Sequence, residues 1–280
     1  MKKSGFLLFL IFIGILSVSF ASIFIRLSES HPLIISTYRM GISSIILLPI
    51  FIFKKEKILR KDKIIFLLSG TFLAFHFYTW ITSLRFTSIM SSTVLVTTNP
   101  IFVSIFSYFL FKKIPKTKTI LAIILSIFGV TLMSYKGDFS TNIKGNLLAL
   151  SGAIFASLYI ISNYSLRKKY NLINVIFRVY FISFLILLIF SLILKIKLIF
   201  LPKKEYLFLF LIALLPQVIG HSIFNYALKF FSPTFISLTI LGEPIGATIL
   251  GIIFFNEIPK FIEILGGILI ILAILISEKE

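Results

Sequence analysis

The feature that most constrains this chain is a recurring apolar stretch of roughly 18–23 residues, enough to cross about 30 Å of hydrocarbon as helix. Ten such stretches lie near 5–27, 33–53, 64–84, 89–111, 118–135, 145–165, 172–194, 205–229, 233–255 and 260–277. Short connections separate them, marked by His31-Pro32, Ile114-Pro115, Lys136-Gly137-Asp138 and Ser232-Pro233. With 58% hydrophobic and 14% charged residues over 280 positions, a water-soluble domain would leave a large apolar surface exposed. In a bilayer that surface is solvated, so the pattern predicts an all-α polytopic membrane protein. The opening Met1-Lys2-Lys3 and the Ser19-Phe20-Ala21 triplet resemble a secretory signal. The apolar run continues through Ile23-Phe24-Ile25, however, and reads as a retained first helix.

The formal net charge of +18 raises the question of a polyanionic partner. The basic residues sit in short segments between apolar runs, as in Lys54-Lys55-Glu56-Lys57, Arg60-Lys61-Asp62-Lys63 and Lys112-Lys113. That placement anchors topology and needs no nucleic acid. With the N-terminus inside, the first half puts Lys2, Lys3, the six basic residues of 54–63, Lys112, Lys113, Lys116 and Lys118 in the cytoplasm, against Arg26 and Arg85 outside. The second half is nearly balanced: Arg167, Lys168, Lys169, Lys229 and Lys279 inside, against Lys195, Lys197, Lys203, Lys204 and Lys260 outside. The expectation is a multi-pass protein of the cell inner (plasma) membrane with both termini cytoplasmic. There is no cysteine, and His31, His76 and His221 lack the spacing of a local metal site. No metal or cofactor is expected.

An internal repeat is visible at a shift of 144 residues. Ser83-Leu84-Arg85-Phe86 maps onto Ala227-Leu228-Lys229-Phe230, and Ser88 onto Ser232. Asn99-Pro100 maps onto Glu243-Pro244, Phe111 onto Phe255, Ile114-Pro115 onto Ile258-Pro259, and Gly129-Val130 onto Ala273-Ile274, all without a gap. The earlier helices match more loosely: Phe20-Ala21-Ser22 resembles Phe155-Ala156-Ser157, and Tyr38-Arg39 resembles Phe177-Arg178. The chain therefore divides into residues 1–137 and 138–280, each with five helices. An odd number makes the second half enter the membrane upside down relative to the first. Inverted repeats of this kind place a site near the midplane and permit alternating access.

The pattern Ala227-Leu228-Lys229-Phe230-x-Ser232, Leu241-Gly242-Glu243-Pro244 and Phe255-x-Glu257-x-Pro259 resembles the EamA type of the drug/metabolite transporter superfamily. The first-half echo, Asn99-Pro100 through Phe111 to Pro115, is similar to that family's first repeat. The resemblance implies a ten-helix, five-plus-five inverted fold around a central cavity, and export of amino acids, related metabolites or toxic compounds. Asn99 stands where many repeats of that family carry an acidic or other residue, and Lys113 stands opposite Glu257, so the halves are chemically unequal.

Within that frame, Pro100 and Pro244 are expected to kink their helices and free the carbonyls of residues 96 and 240. Glu243 is an acidic residue well inside a span, and is either a structural hydrogen-bonding group or a proton- or cation-binding one. Gln217, His221 and Asn225 form a stripe at α-helical spacing, serving interhelical hydrogen bonds or a substrate face. His76 and Trp80 are likewise spaced i, i+4. With Asn99 and Glu243 these residues are candidates for the cavity lining, which falls between helices 3, 4, 8 and 9. Arg39 and Arg178 are placed near opposite membrane faces, either snorkelling to headgroups or forming a gate or vestibule. Gly242-xxx-Gly246 and Gly266-Gly267 read as packing faces.

The leading functional expectation is a secondary transporter of small molecules, coupled to protons or passive. No Walker motif is present. A non-transporting membrane subunit or channel is the alternative. An intramembrane enzyme is disfavoured, since no Gly-x-Ser-x-Gly or His-Glu-x-x-His occurs. Oligomeric state is open, a homodimer being one form.

Overall fold

Backbone polar groups inside hydrocarbon must pair within their own segment, so apolar runs of this length have to form helices. A computed structural model describes residues 2–87, 89–134, 142–256 and 258–277. Ser88, the 136–138 turn, Glu257 and Lys279 lie outside the described residues. The helices are α1 (Lys2–Leu27), α2 (Pro32–Lys54), α3 (Lys63–Ser83), α4 (Ile89–Val96), α5 (Asn99–Phe111), α6 (Thr117–Ser134) and α7 (Ile143–Arg167). They continue with α8 (Leu172–Ile193), α9 (Lys203–Ile212), a π-helical stretch (Ala213–His221), α10 (Ser222–Ala227), α11 (Pro233–Ile240), α12 (Glu243–Phe255) and α13 (Phe261–Ser277). Among the described residues, eight segments are long and apolar enough to cross a membrane. Two shorter apolar helices, Thr117–Leu132 and Phe261–Ser277, complete a set of ten. The chain is an all-helical multi-pass membrane protein.

The repeat appears in the element boundaries. Shifted by 144 residues, α4 becomes α11 and α5 becomes α12 at both ends. The residue that ends α5, Lys112, has φ 54° and ψ 29°; its counterpart Asn256, which ends α12, has φ 54° and ψ 31°. Both turn left-handed and return their N–H to carbonyls of the last helical turn, before Ile-Pro takes the chain away.

The chain forms two compact units. The first comprises residues 1–78 and 162–230, and the second 79–161 and 231–280, so each draws on both sequence halves. In the first unit α2 packs on α8 in opposite directions. Thr37 near the start of α2 meets Ser191 near the end of α8 at 3.2 Å. At the other end, Asn174 near the start of α8 donates to the carbonyl of Lys54, the last residue of α2. These two helices are related by the repeat, so their antiparallel course is the inversion realised. Tethers hold both ends of this unit. At one, Asp62 (1% exposed) accepts from Lys169 Nζ at 2.7 Å and from the Tyr170 hydroxyl at 2.8 Å. Burial, followed by the Asp62 carboxylate, pushes the Tyr170 phenol above its ordinary value and keeps it a donor. At the other, Glu205 accepts from Ser28 and Ser30 hydroxyls, each at 2.6 Å, fixing the α1–α2 connection to the start of α9.

In the second unit α6 and α13 pack around Ala122, Val130, Ile270 and Ala273. They approach closely because Gly129 has no side chain: a Cβ there would lie 2.7 Å from the Gly266 carbonyl oxygen. The Gly266-Gly267 pair thus serves packing. Substituting Gly129 by Ala should force backbone apart at this contact. A cost of about 1–3 kcal/mol is expected for overpacking, seen as a lower melting temperature of the detergent-solubilised protein. Gly5→Ala, where a Cβ meets nothing within 4 Å, should leave melting unchanged.

Candidate functional site

The two units each concentrate polar chemistry in a different way. In the first, it gathers on Arg39. This residue lies in the second turn of α2 and is 1% exposed, so it does not snorkel to headgroups. Its Nε donates to Gln217 Oε1 at 2.7 Å, and its guanidinium carbon lies 4.1 Å from the centroid of the Phe77 ring. A planar, delocalised cation tolerates such a setting better than an ammonium, because one face takes an aromatic ring while the edge donates. The ring of His221 meets Phe77 edge-on at 5.8 Å, and that of His76 lies 4.9 Å from it. Phe77 therefore has a cation and two imidazoles around it.

Gln217 reaches Arg39 from a π-helical stretch. Pro216 inside the span lacks an N–H and crowds the preceding turn, which a locally wider helix relieves. The Ser43 hydroxyl donates to the carbonyls of Arg39 (2.6 Å) and Ala213 (3.2 Å), tying α2 to this stretch. Gln217 is fully buried, and its Nε2 has no hydrogen-bond partner among the described residues. The Gln217–His221–Asn225 stripe covers about 12 Å of helix and meets a different neighbour at each level. Gln217 turns to α2 and Asn225 to α7, while half-buried His221 stands against α3.

Asn225 closes a second network in the same unit. Its Oδ1 accepts from Asn163 Nδ2 at 2.6 Å, and Asn163 Oδ1 accepts from the Ser69 hydroxyl at 2.6 Å. Arg167 Nε donates to the Asn225 carbonyl at 2.9 Å, and its Nη1 to the Tyr170 carbonyl at 2.7 Å. Arg167, counted by sequence among the cytoplasmic-side charges, is 3% exposed and caps a helix end from inside. Asn163 was equally readable as a polar residue within an apolar span. Phe77 carried no signal, being one aromatic among many. Arg178 lies half-buried at the start of α8, at the end of this unit opposite Arg39. Its Nη2 donates to the Glu56 carbonyl at 3.1 Å, and its guanidinium carbon is 4.9 Å from the Phe51 centroid.

The second unit carries two helix breaks. Pro100 and Pro244 were expected to kink continuous helices. Instead each span stops and restarts, at Thr97-Thr98 and at Leu241-Gly242, and each proline is the second residue of a new helix. At that position its missing N–H costs nothing and its fixed φ suits the first turn. Threonine hydroxyls take carbonyls at the first break: Thr97 that of Val94 at 3.0 Å, and Thr98 that of Leu95 at 2.6 Å. At the second, Thr239 Oγ1 donates to Ile236 O at 2.8 Å. Asn99 and Glu243 are the first residues of α5 and α12, where the positive end of a helix dipole favours an oxygen-bearing side chain. The Asn99 carbonyl accepts from Ser157 Oγ at 3.0 Å; Glu243 is half-buried. Trp80, half-buried near the end of α3, packs over Gly152, whose Cβ would lie 3.2 Å from the tryptophan Cβ. The structure thus brings Arg39, His76, Gln217, His221 and Asn225 together in one unit, and assigns Trp80, Asn99, Pro100, Glu243 and Pro244 to the other.

A family model described as "EamA-like transporter family" matches residues 5–135 and again 143–278. The chain is 27% identical over 267 residues to the uncharacterized transporter YdfC of Bacillus subtilis (strain 168), covering 91% of this chain and 85% of that one. It is 28% identical over 273 residues to an uncharacterized transporter of Methanothermobacter thermautotrophicus, covering 86% of this chain and 75% of that one. A crystal structure of a protein 14% identical matches the fold with a TM-score of 0.82, over 96% of this chain and 95% of that one.

Gln217→Leu removes the acceptor of a buried cation and should cost about 1–3 kcal/mol, read as a lower melting temperature in detergent. Arg39→Met combined with Gln217→Leu should cost less than the sum of the single changes, because the pair disappears together.

Proposed function

The chain belongs to the EamA-like transporter family, and from that premise we propose that it is a secondary carrier exporting small polar metabolites, such as amino acids, by alternating access. That it is a membrane transporter and not an enzyme follows from the family. The finer reading rests on one observation: two apolar spans broken at repeat-related positions, each restarting with an oxygen-bearing side chain and a proline. In hydrocarbon a broken span is tolerable only where protein or water covers it, and discontinuous helices recur where carriers hold substrates and ions. Asn99 at one restart offers a neutral amide and Glu243 at the other a carboxylate, which suits a ligand bearing a positive or hydrogen-bonding group. The Arg39–Gln217–His221 cluster of the first unit offers the opposite polarity.

Glu243 is the group we assign to proton coupling, and His76, Trp80, Asn99, Gln217, His221 and Asn225 to the substrate path, with Arg39 and Arg178 as gating groups. The basic end of the first unit, carrying residues 54–63 and 167–169, would face the cytoplasm by the charge rule. Both termini would then be cytoplasmic, in the inner (plasma) membrane. Liposomes containing the purified protein should release a loaded amino-acid mixture faster than protein-free liposomes carrying the same load, with flux dependent on an imposed pH gradient. Glu243→Gln should abolish the pH dependence and reduce gradient-driven flux at least tenfold. A variant that transports normally across pH would overturn proton coupling. Absence of solute-dependent flux by folded protein would overturn the carrier reading.

A further inference from the structure

A groove of 440 Å³ runs along the outer surface of the second unit between α5 and α6. Its walls are almost wholly apolar: Ile101, Ile105, Tyr108 and Phe109 on one side, Ile123, Ile124 and Ile127 on the other. From Ile101 to Phe109 it extends about 12 Å at helical rise, following the direction in which an acyl chain lies in a bilayer. Besides the Tyr108 phenol, one buried hydroxyl interrupts the apolar wall. Ser104 lines the groove, is 7% exposed, and its Oγ has no hydrogen-bond partner among the described residues.

The groove ends at Pro115, in the turn joining α5 to α6. That turn and the first residues of α6 carry Lys112, Lys113, Lys116 and Lys118, all exposed. The positive end of the α6 dipole lies in the same place. The fold of the turn does not require these charges. Its repeat mate has the same left-handed cap but carries Asn256, Glu257 and Ile262 where this one has Lys112, Lys113 and Lys118; only Lys260 keeps the charge. A topological signal accounts for lysines on a cytoplasmic turn. It does not account for an apolar groove that terminates among them.

We propose that this groove and turn form a binding site for an anionic phospholipid, one acyl chain lying in the groove and the phosphate headgroup against the lysine cluster. A basic cluster at the mouth of an apolar crevice between spanning helices has the complementarity such a lipid needs. The site belongs to the second unit alone and does not depend on the identity of the transported solute.

The test uses the full-length purified protein in detergent, titrated with phosphatidylglycerol and with phosphatidylcholine of the same chains, and read by thermal stability and by native mass spectrometry. The expected result is that phosphatidylglycerol raises the melting temperature and is retained at least fivefold more than phosphatidylcholine. Replacing all four lysines by Gln should erase that preference. Ile124→Trp, which fills the groove from an exposed position, should weaken retention of both lipids while leaving lipid-free melting unchanged. Equal retention of the two lipids, or an undiminished preference in the lysine variant, would overturn the proposal. So would an equal shift from glycerol phosphate lacking acyl chains, or a change from dimer to monomer in Ile124→Trp, which would make a second copy the occupant.

Discussion

The structure is governed by the cost of leaving a backbone amide or carbonyl unpaired in hydrocarbon, several kcal/mol for each group by order of magnitude. Uninterrupted helices such as α2 and α8 meet this cost within themselves. The interest lies where the rule is strained. At the two breaks, tight turns and threonine hydroxyls recover carbonyls that a continuous helix would have used. In the π-helical stretch, a proline and a shifted register are accommodated because Ser43 reaches across to Ala213. Each irregularity has a specific polar partner, and each lies in or beside residues assigned here to transport.

A second constraint follows from the first. Arg39 inside the first unit would be very costly unless its charge were shared, and Gln217 and Phe77 share it. The pairing couples three elements: α2 supplies the cation, α3 the ring, and the π-helical stretch the amide. A movement in any one of them is therefore felt by the others. The tethers at Asp62 and Glu205 hold the ends of the same unit, so its polar core is enclosed by fixed connections and not by loose loops.

Much of the fold was legible in the sequence because hydrophobic length and a repeat are both local signals. The shift of 144 residues matched Asn99-Pro100 with Glu243-Pro244, and the same shift carries α4–α5 onto α11–α12. The two prolines mark where the spans are interrupted, but spacing alone does not tell a bend in a helix interior from a helix restart, which proline also suits. The π-helical stretch was invisible for a related reason: a locally wider turn leaves composition and apolar length unchanged. Arg39 and Arg167 were both read as charges able to reach water. Whether an arginine near a span end snorkels or turns inward depends on a partner from a distant helix, Gln217 in one case and the Asn225 carbonyl in the other.

Two breaks that line an aqueous substrate path must be reachable from water although they interrupt apolar spans. The chain has no cysteine, so a single introduced thiol reports its own position. Thr98→Cys and Gly242→Cys, each in native membranes, can be compared with Ile124→Cys on the outer surface of α6 by reaction with a membrane-impermeant, charged thiol reagent. The account predicts labelling at both breaks, slowed by transported solute, and none at position 124. Break cysteines as unreactive as the one at 124 would contradict it.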